Sequence, residues 1–346
     1  MSEYAHKDIL TMRANGMSWP KIQVALGLGS IAAARRLHEK ALRLDLTSGT
    51  FDIQPPPEDP EYFAPEIFSA EPKRTFVPDV PRIDPPVFEL IAGDRDTNRL
   101  NRVLFVPDAH IPYENKAAWS LMMSAAEDFK PDIIVIAGDF ADFKAVSSHL
   151  KDPKDHTRLK WEMTCAKERL DELDALDATI KVYVAGNHED RLQRYLQEKA
   201  PALFDMLNVP ETLGLEARGW TYVPYKEHTE VGALYVTHDV GTAGVNSARK
   251  ALDTFMHSVV TGHSHRLQYI VEGDAVGGAR VSATFGWLGD INEIDYMSRA
   301  QAGRSWALGF GIGYINPSNQ AVHLVPVPIV LGSVVVEGKL YSVRED

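Results

Sequence analysis

Five short stretches gather residue types that handle metals and phosphates: Asp108-Ala109-His110, Gly138-Asp139-Phe140-Ala141-Asp142, Gly186-Asn187-His188-Glu189-Asp190, His238, and Gly262-His263-Ser264-His265. Carboxylates, imidazoles and one amide oxygen are hard-to-borderline ligands. They suit Mn²⁺, Fe, Zn²⁺ or Mg²⁺ better than thiophilic metals. A carboxylate can bridge two cations. Residues two apart in extended chain point the same way, so Asp108 with His110 and His263 with His265 are expected to chelate as pincers. The glycines before Asp139, Asn187 and His263 are expected to let the backbone turn sharply and approach an anion closely. Singly, each stretch reads as a chance pair, a turn or a helix cap. Five in this order, each directly after an apolar run, do not.

Those apolar runs are the elements that must position them. Strands are expected at Arg102–Val106, Asp132–Ala137, Lys181–Ala185, Ala233–Thr237 and Ser258–Thr261, each ending at one of the five stretches. Helical patterns fall between them at Ala117–Asp128, Leu159–Leu176, Arg191–Lys199 and Val245–Phe255. Alternation of this kind predicts βαβ units and a largely parallel central sheet. Ligands of such sheets bind outside the carboxyl ends of the strands. After residue 278 the pattern is all-β, at Arg280–Phe285, Ala307–Ile315, Ala321–Pro326 and a valine-rich end to Val343, which is expected to add a second sheet.

The ordered set resembles the signature of the calcineurin-like metallophosphoesterase superfamily: Asp-x-His, Gly-Asp-x-x-Asp, Gly-Asn-His-Glu/Asp, His, Gly-His-x-His. The resemblance covers roughly Arg102 to His265. It implies an α/β fold, a four-layer αββα sandwich of two sheets flanked by helices. It also implies two divalent metal ions, Mn²⁺ first among the candidates. Asp108, His110, Asp139 and His265 would bind the first; Asp139 would bridge; Asn187, His238 and His263 would complete the second. His188 would face the scissile phosphate as the catalytic acid, and Asp142 would orient a ligand histidine. Two cations clamp phosphate oxygens and activate a bridging hydroxide for in-line attack, and a histidine can protonate the leaving oxygen. Arg191 and Arg194 follow on the next helix. They divide evenly between phosphate contacts and a solvated helix face. Trp287 is expected to pack between sheets rather than wall the pocket. The remaining histidines are read as structural or surface residues.

The 346 residues predict about two domains. Residues 1–46 read as three short helices with apolar faces at Ile22, Val24, Ala25 and Leu26 and at Ala34, Leu37, Ala41 and Leu44. The run Gly16-Met-Ser18-Trp19-Pro20-Lys21-Ile22 and Leu26-Gly-Leu28 resembles the opening of a helix-turn-helix. Its third helix would carry Arg35, Arg36 and Lys40 to DNA phosphates or base edges. A three-helix protein-docking module fits the same pattern. Residues 47–98 hold ten of the 21 prolines, interleaved with Phe51, Tyr62, Phe63, Phe68 and Phe76. They read as an extended linker lying partly on the catalytic domain at 99–346.

Composition bounds the function further. The first 50 residues carry seven basic and four acidic side chains; the rest carry 29 basic against 44 acidic. That excludes a generic polyanion-binding body while leaving room for a small basic module. One cysteine, Cys165, permits neither an internal disulfide nor a thiolate metal cluster. No apolar run reaches membrane-spanning length. A cytoplasmic enzyme with no membrane partner is expected. Two readings stand. One is a phosphodiesterase or nuclease acting on DNA, similar to phage-encoded phosphoesterases of exonuclease type. The other is a phosphomonoesterase or nucleotide phosphodiesterase whose helical head docks a protein.

Overall fold

The computed structural model describes residues 9–13, 17, 19–26, 28, 33–34, 37–38, 41, 87–88, 99–148, 158–273, 278–293 and 305–343. The chain divides into two units, Met1–Val80 and Pro81–Asp346.

In the first unit, helical residues at 9–13, α1 (Trp19–Ala25) and helical residues 33, 34, 37, 38 and 41 enclose a small core of Ile9, Ile22, Ala34, Leu37 and Ala41. The buried positions 34, 37 and 41 have the 3–4 spacing of one helix face. Val24 and Ala25 are exposed, Val24 at 80%, which corrects the expected α1 face. Ile22 and Leu26 lie four apart and share the inner side, whereas positions 24 and 25 are rotated away from it. Arg35, Arg36 and Lys40 lie outside the described residues.

The second unit is a four-layer sandwich. Sheet one contains β2 (Asn101–Val106), β3 (Ile133–Ala137), β4 (Ile180–Val184) and β5 (Trp220–Val223), all parallel neighbours. It continues on the other side of β2 with β11 (Gly309–Ile315) and β12 (Val322–Pro328), both antiparallel to their neighbours. Sheet two runs β1 (Val87–Phe88), β6 (Thr229–Val231), β7 (Tyr235–Val236), β8 (Val259–Val260), β10 (Ala279–Phe285), β9 (Leu267–Gly273). Ile134, Ile136, Leu104 and Val106 pack into the helix-side core with Trp119 and Met122 of α2 (Lys116–Phe129) and Leu170 of α3 (Leu159–Asp174). Their alternate neighbours, Val103, Phe105, Ile133 and Val135, join Val231, Val236, Val260 and Phe285 between the sheets. Strands buried on both faces explain why β3 reads as a continuous Ile-Ile-Val-Ile run. The outer face of sheet one also carries α4 (Asp190–Lys199) and the short α5 (Val209–Leu213); α6 (Ser247–Phe255) covers sheet two. A hairpin, β13 (Ser333–Val336) and β14 (Lys339–Ser342), closes the chain. Among the described residues no helix is long and apolar enough to cross a membrane.

The expected α/β sandwich is present, but its sheets are partitioned differently. The late strands β11 and β12 extend sheet one, while β7 and β8, which were expected beside β2–β4, build sheet two. Burial on one face tells which residues are inside, not which edge a strand joins. Gly311 helps decide it. A Cβ there would lie 2.5 Å from the Phe285 ring, so the glycine makes room for that ring beside Phe105, 5.1 Å away across the sheets. The strands β5, β6 and β9 were not anticipated; the first two are only four and three residues long.

Candidate metal centre

The carboxyl ends of β2, β3, β4, β7 and β8 bring the five stretches together. Asp108, His110, Asp139 and His265 offer ligand atoms all within 4.8 Å of one another, and so do Asp139, His238 and His263. Asp139 is common to both groups. Asn187 joins the second, its Oδ1 lying 3.2 Å from His238 Nε2, which is itself 3.2 Å from Asp139 Oδ2. In the first group His110 Nε2 and His265 Nε2 face each other at 3.0 Å, with Asp108 Oδ1 3.6 Å from the latter.

Local backbone geometry makes the convergence possible. His110, Asp139, His263 and His265 have φ between 48° and 64°, in the left-handed region. Such residues cost of order 1–3 kcal/mol each and cluster where function requires them. The expected pincers therefore fare differently. Asp108 and His110 do share a group, but His263 and His265 fall into separate ones. The left-handed turn at 263–265 replaces the extended alternation that would have kept them parallel. The glycines also serve another purpose than anion approach. At Gly138, with φ +95°, a Cβ would sit 2.1 Å from His238 Nδ1; at Gly186 it would sit 2.1 Å from Asp139 Oδ1. They clear space for the ligand side chains themselves.

The outer partners fix ring orientations. His238 Nδ1 donates to the Ala137 carbonyl at 2.9 Å, which turns its Nε2 inward. Asp142 Oδ2 lies 3.1 Å from His110 Nδ1 and 3.1 Å from His188 Nδ1, and the Asp142 carbonyl also accepts from His188 at 3.1 Å. One carboxylate thus orients both an inward-facing histidine and His188. The His188 N–H donates to Asp139 Oδ1 at 2.9 Å.

Arg191 is not turned toward open space. Its Nη1 donates to Asp142 O and Oδ1 at 2.8 and 3.1 Å, and its Nη2 lies 2.9 Å from His188 Nε2. Arg194 pairs with Asp190 at 3.0 Å and is more than half exposed.

Burial and the neighbouring charge of His188 hold His110 below its ordinary pKa; burial with His238, and burial with His110, do the same for His263 and His265. Neutral imidazoles are the form that ligates metals. Burial disfavours a charged Asp108 and, with Asp139 beside it, moves its carboxyl up to about 7 despite His238. Burial also works against a charged His238, but Asp139 and Asp108 prevail and raise it to about 10. For His188 burial is likewise outweighed, by Asp139 and Asp142, so its protonated form is favoured.

The donor chemistry fits divalent cations. It comprises oxygen and imidazole nitrogen only, and Asp108 Oδ2 and His265 Nδ1 are buried without a hydrogen-bond partner. Cation binding would release the proton that His238 holds between carboxylates.

Three features were missed by sequence reasoning. Glu189, fully buried, accepts from Gly186 N (2.7 Å), Tyr183 Oη (2.8 Å), Ala141 N (3.0 Å) and Asp139 N (3.1 Å), tying the β3 and β4 loops together. Its presence in the Gly-Asn-His-Glu run was the available signal. Glu162 of α3 likewise accepts from Lys144 N and Ala145 N, just past Asp142. Trp287 stacks on His265 with centroids 4.9 Å apart and planes 11° apart, and Trp306 meets the same ring edge-on at 4.2 Å. Trp287 is buried against the centre itself, which corrects the expectation that it packs between the sheets. His149 lies outside the described residues.

Residues 101–267 match the calcineurin-like phosphoesterase family. The Gene 54 protein of Mycobacterium phage D29 is 28% identical over 259 residues, covering 70% of this chain and 99% of that protein. The Gene 54 protein of Mycobacterium phage L5 is 26% identical over 259 residues with the same coverage. Among solved structures, vacuolar protein sorting 29 from Cryptosporidium parvum aligns at TM-score 0.38 and 15% identity, covering 70% of this chain and 96% of its own. Pseudomonas putida nuclease MPE aligns at TM-score 0.29 and 15% identity, covering 64% and 87%. The similarity of residues 101–267, just under half of the chain, is to a family of phosphoester hydrolases that typically use divalent metals.

Proposed function

We propose that the protein is a binuclear-metal phosphodiesterase of nuclease type acting on DNA. The observation that carries the binuclear part is Asp139, the one carboxylate common to both ligand groups. Asp108, His110 and His265 would hold one cation with it, and Asn187, His238 and His263 the other. Bound there, the cations would clamp phosphate oxygens and supply an activated water for in-line attack. His188 lies outside the two groups that share Asp139 and clusters instead with His110 and Asp142, with Nδ1 engaged by Asp142 and its protonated form favoured by two carboxylates. Its role is to hand a proton to the departing oxygen, which a sugar alkoxide needs and an acidic phenolate does not. Asp142 keeps the ring aimed. Arg191, held by Asp142, lies beside the same ring and would gain a phosphate oxygen as a further partner when substrate enters.

The DNA assignment draws on the helix-turn-helix pattern of residues 1–46 and on the leaving-group chemistry of His188. The acidity of the remaining chain supports the second reading, a small phosphoester as substrate and a head that docks a protein. The test is hydrolysis by Mn²⁺-loaded protein of single- and double-stranded DNA, bis-p-nitrophenyl phosphate and p-nitrophenyl phosphate. Cleavage of DNA and the diester in preference to the monoester is expected. Monoester hydrolysis without DNA cleavage would move the assignment to the second reading.

A further inference from the structure

Beside the metal centre lies an aromatic and cationic surface that the hydrolytic machinery does not use. Trp161, in the first turn of α3, is 49% exposed, a large apolar side chain left in water. Its ring meets the half-buried Tyr113 edge-on at 6.5 Å, and Lys144 Nζ lies 5.1 Å over the Tyr113 ring. The backbone ties this cluster to the catalytic loops. Tyr113 N donates to the His110 carbonyl at 2.7 Å, and the Tyr113 carbonyl accepts from Asp290 N at 2.8 Å. Lys144 lies two residues past Asp142, with its N–H held by Glu162, the neighbour of Trp161. Arg158 and Lys160, both exposed, flank Trp161 at the start of the helix. One lysine over Tyr113 and two exposed cations near Trp161 in the chain stand out in a body whose net charge is strongly negative.

We propose that Tyr113, Trp161 and Lys144 form a stacking shelf for a base of a single-stranded nucleic acid at the mouth of the metal centre, with Arg158 and Lys160 along the adjoining phosphates. Every base has a π-face, so stacking of this kind binds a strand without reading its sequence. The lysine over Tyr113 contributes a cation–π contact and a partner for phosphate. The inference rests on the phosphodiester reading above and adds to it the strandedness of the substrate and the residues that seat it.

The experiment measures affinity of the full chain for a fluorescently labelled oligonucleotide of about ten nucleotides, a length within the range of single-strand sites. An abasic strand of equal length is measured beside it. Trp161→Ala is expected to weaken binding of the base-bearing strand by about 5- to 100-fold, with Trp161→Phe retaining most of it and the abasic strand little affected by either. Equal losses on both strands, or no loss, would overturn the shelf. So would a change in the oligomeric state of Trp161→Ala without a change in strand affinity, which would assign Trp161 to a contact between copies. Wild-type protein that cleaves oligonucleotides while the variants bind normally defeats the shelf alone. Wild-type protein that cleaves only nitrophenyl esters and binds no oligonucleotide defeats both the shelf and the DNA reading.

Discussion

Replacing Glu189 by Gln removes one charge from a buried carboxylate that serves four donors. Its Oε2 accepts from Gly186 N and Asp139 N, and its Oε1 from Ala141 N and Tyr183 Oη. The best placement of the new amide keeps its oxygen at the Oε2 position, preserving two bonds without their charge assistance. The –NH₂ then sits at the Oε1 position. The Tyr183 hydroxyl can rotate to accept from it, but the Ala141 N–H is left facing a donor. A stranded buried donor costs about 1–3 kcal/mol, and charged hydrogen bonds exceed neutral ones by about 1 kcal/mol, so a loss of about 2–4 kcal/mol is expected. For a domain of this size that lowers the melting temperature by about 5–10 °C. Asp139 loses part of its backbone anchor, so affinity for the metals should fall by about 10- to 100-fold. Thermal unfolding followed by circular dichroism, with metal titrated by calorimetry, measures both. A melting temperature within about 1 °C of wild type and unchanged metal affinity would refute the idea that this carboxylate ties the two loops.

The other expectations concern the centre and its surroundings. Asp139→Asn should lose both metals by elemental analysis and all hydrolysis while keeping a cooperative thermal transition; retention of two metals would remove Asp139 from the bridging position. His188→Ala should keep its metals and lose about 10²–10⁴-fold on DNA, with a smaller loss on a nitrophenyl diester; equal losses would assign it to stabilising the transferring phosphoryl group rather than donating a proton. Burial raises the Glu162 carboxyl to about 7, so its contribution to stability is complete below the unfolded value near 4.5 and is lost as pH rises through about 7. The stability difference between wild type and Glu162→Gln should therefore shift by about 2–3 kcal/mol in favour of the variant between pH 4.5 and 8; a flat difference would contradict the assigned burial effect. Arg35→Ala with Arg36→Ala should weaken DNA binding and flatten its dependence on salt, by more than any change on a nitrophenyl diester; unaltered salt dependence would favour a protein-docking head.

What the sequence made legible follows from where information is local. The order of strands and helices, and the placement of each polar stretch at a strand end, follow from periodicity within a few residues. Strands β2, β3 and β4 fell within a residue of expectation because each is a long apolar run ending at a polar turn. Membership in a sheet is not local. Nothing in Gly309–Ile315 announces that it lies against β2 until the Phe285 ring is seen to occupy the space above Gly311. Short strands such as Thr229–Val231 offer too few residues for alternation to register.

The same distinction applies to the site. The residues that converge were readable from their types and order. How they divide between the two groups was not readable from spacing, because it depends on four side chains held at positive φ, and residue spacing carries no such information. The outer partners were harder still. Asp142 could be singled out from the Gly-Asp-x-x-Asp pattern, but its simultaneous hold on His110, His188 and Arg191 arises only when the β3 and β4 loops meet. Glu189 precedes the first residue of α4, where the positive end of the macrodipole would favour a carboxylate. Its side chain instead turns inward and satisfies four donors that would otherwise be buried unpaired. Competition between a helix end and a cluster of unsatisfied N–H groups is decided by the second, because a stranded buried donor costs more than a surface dipole contributes.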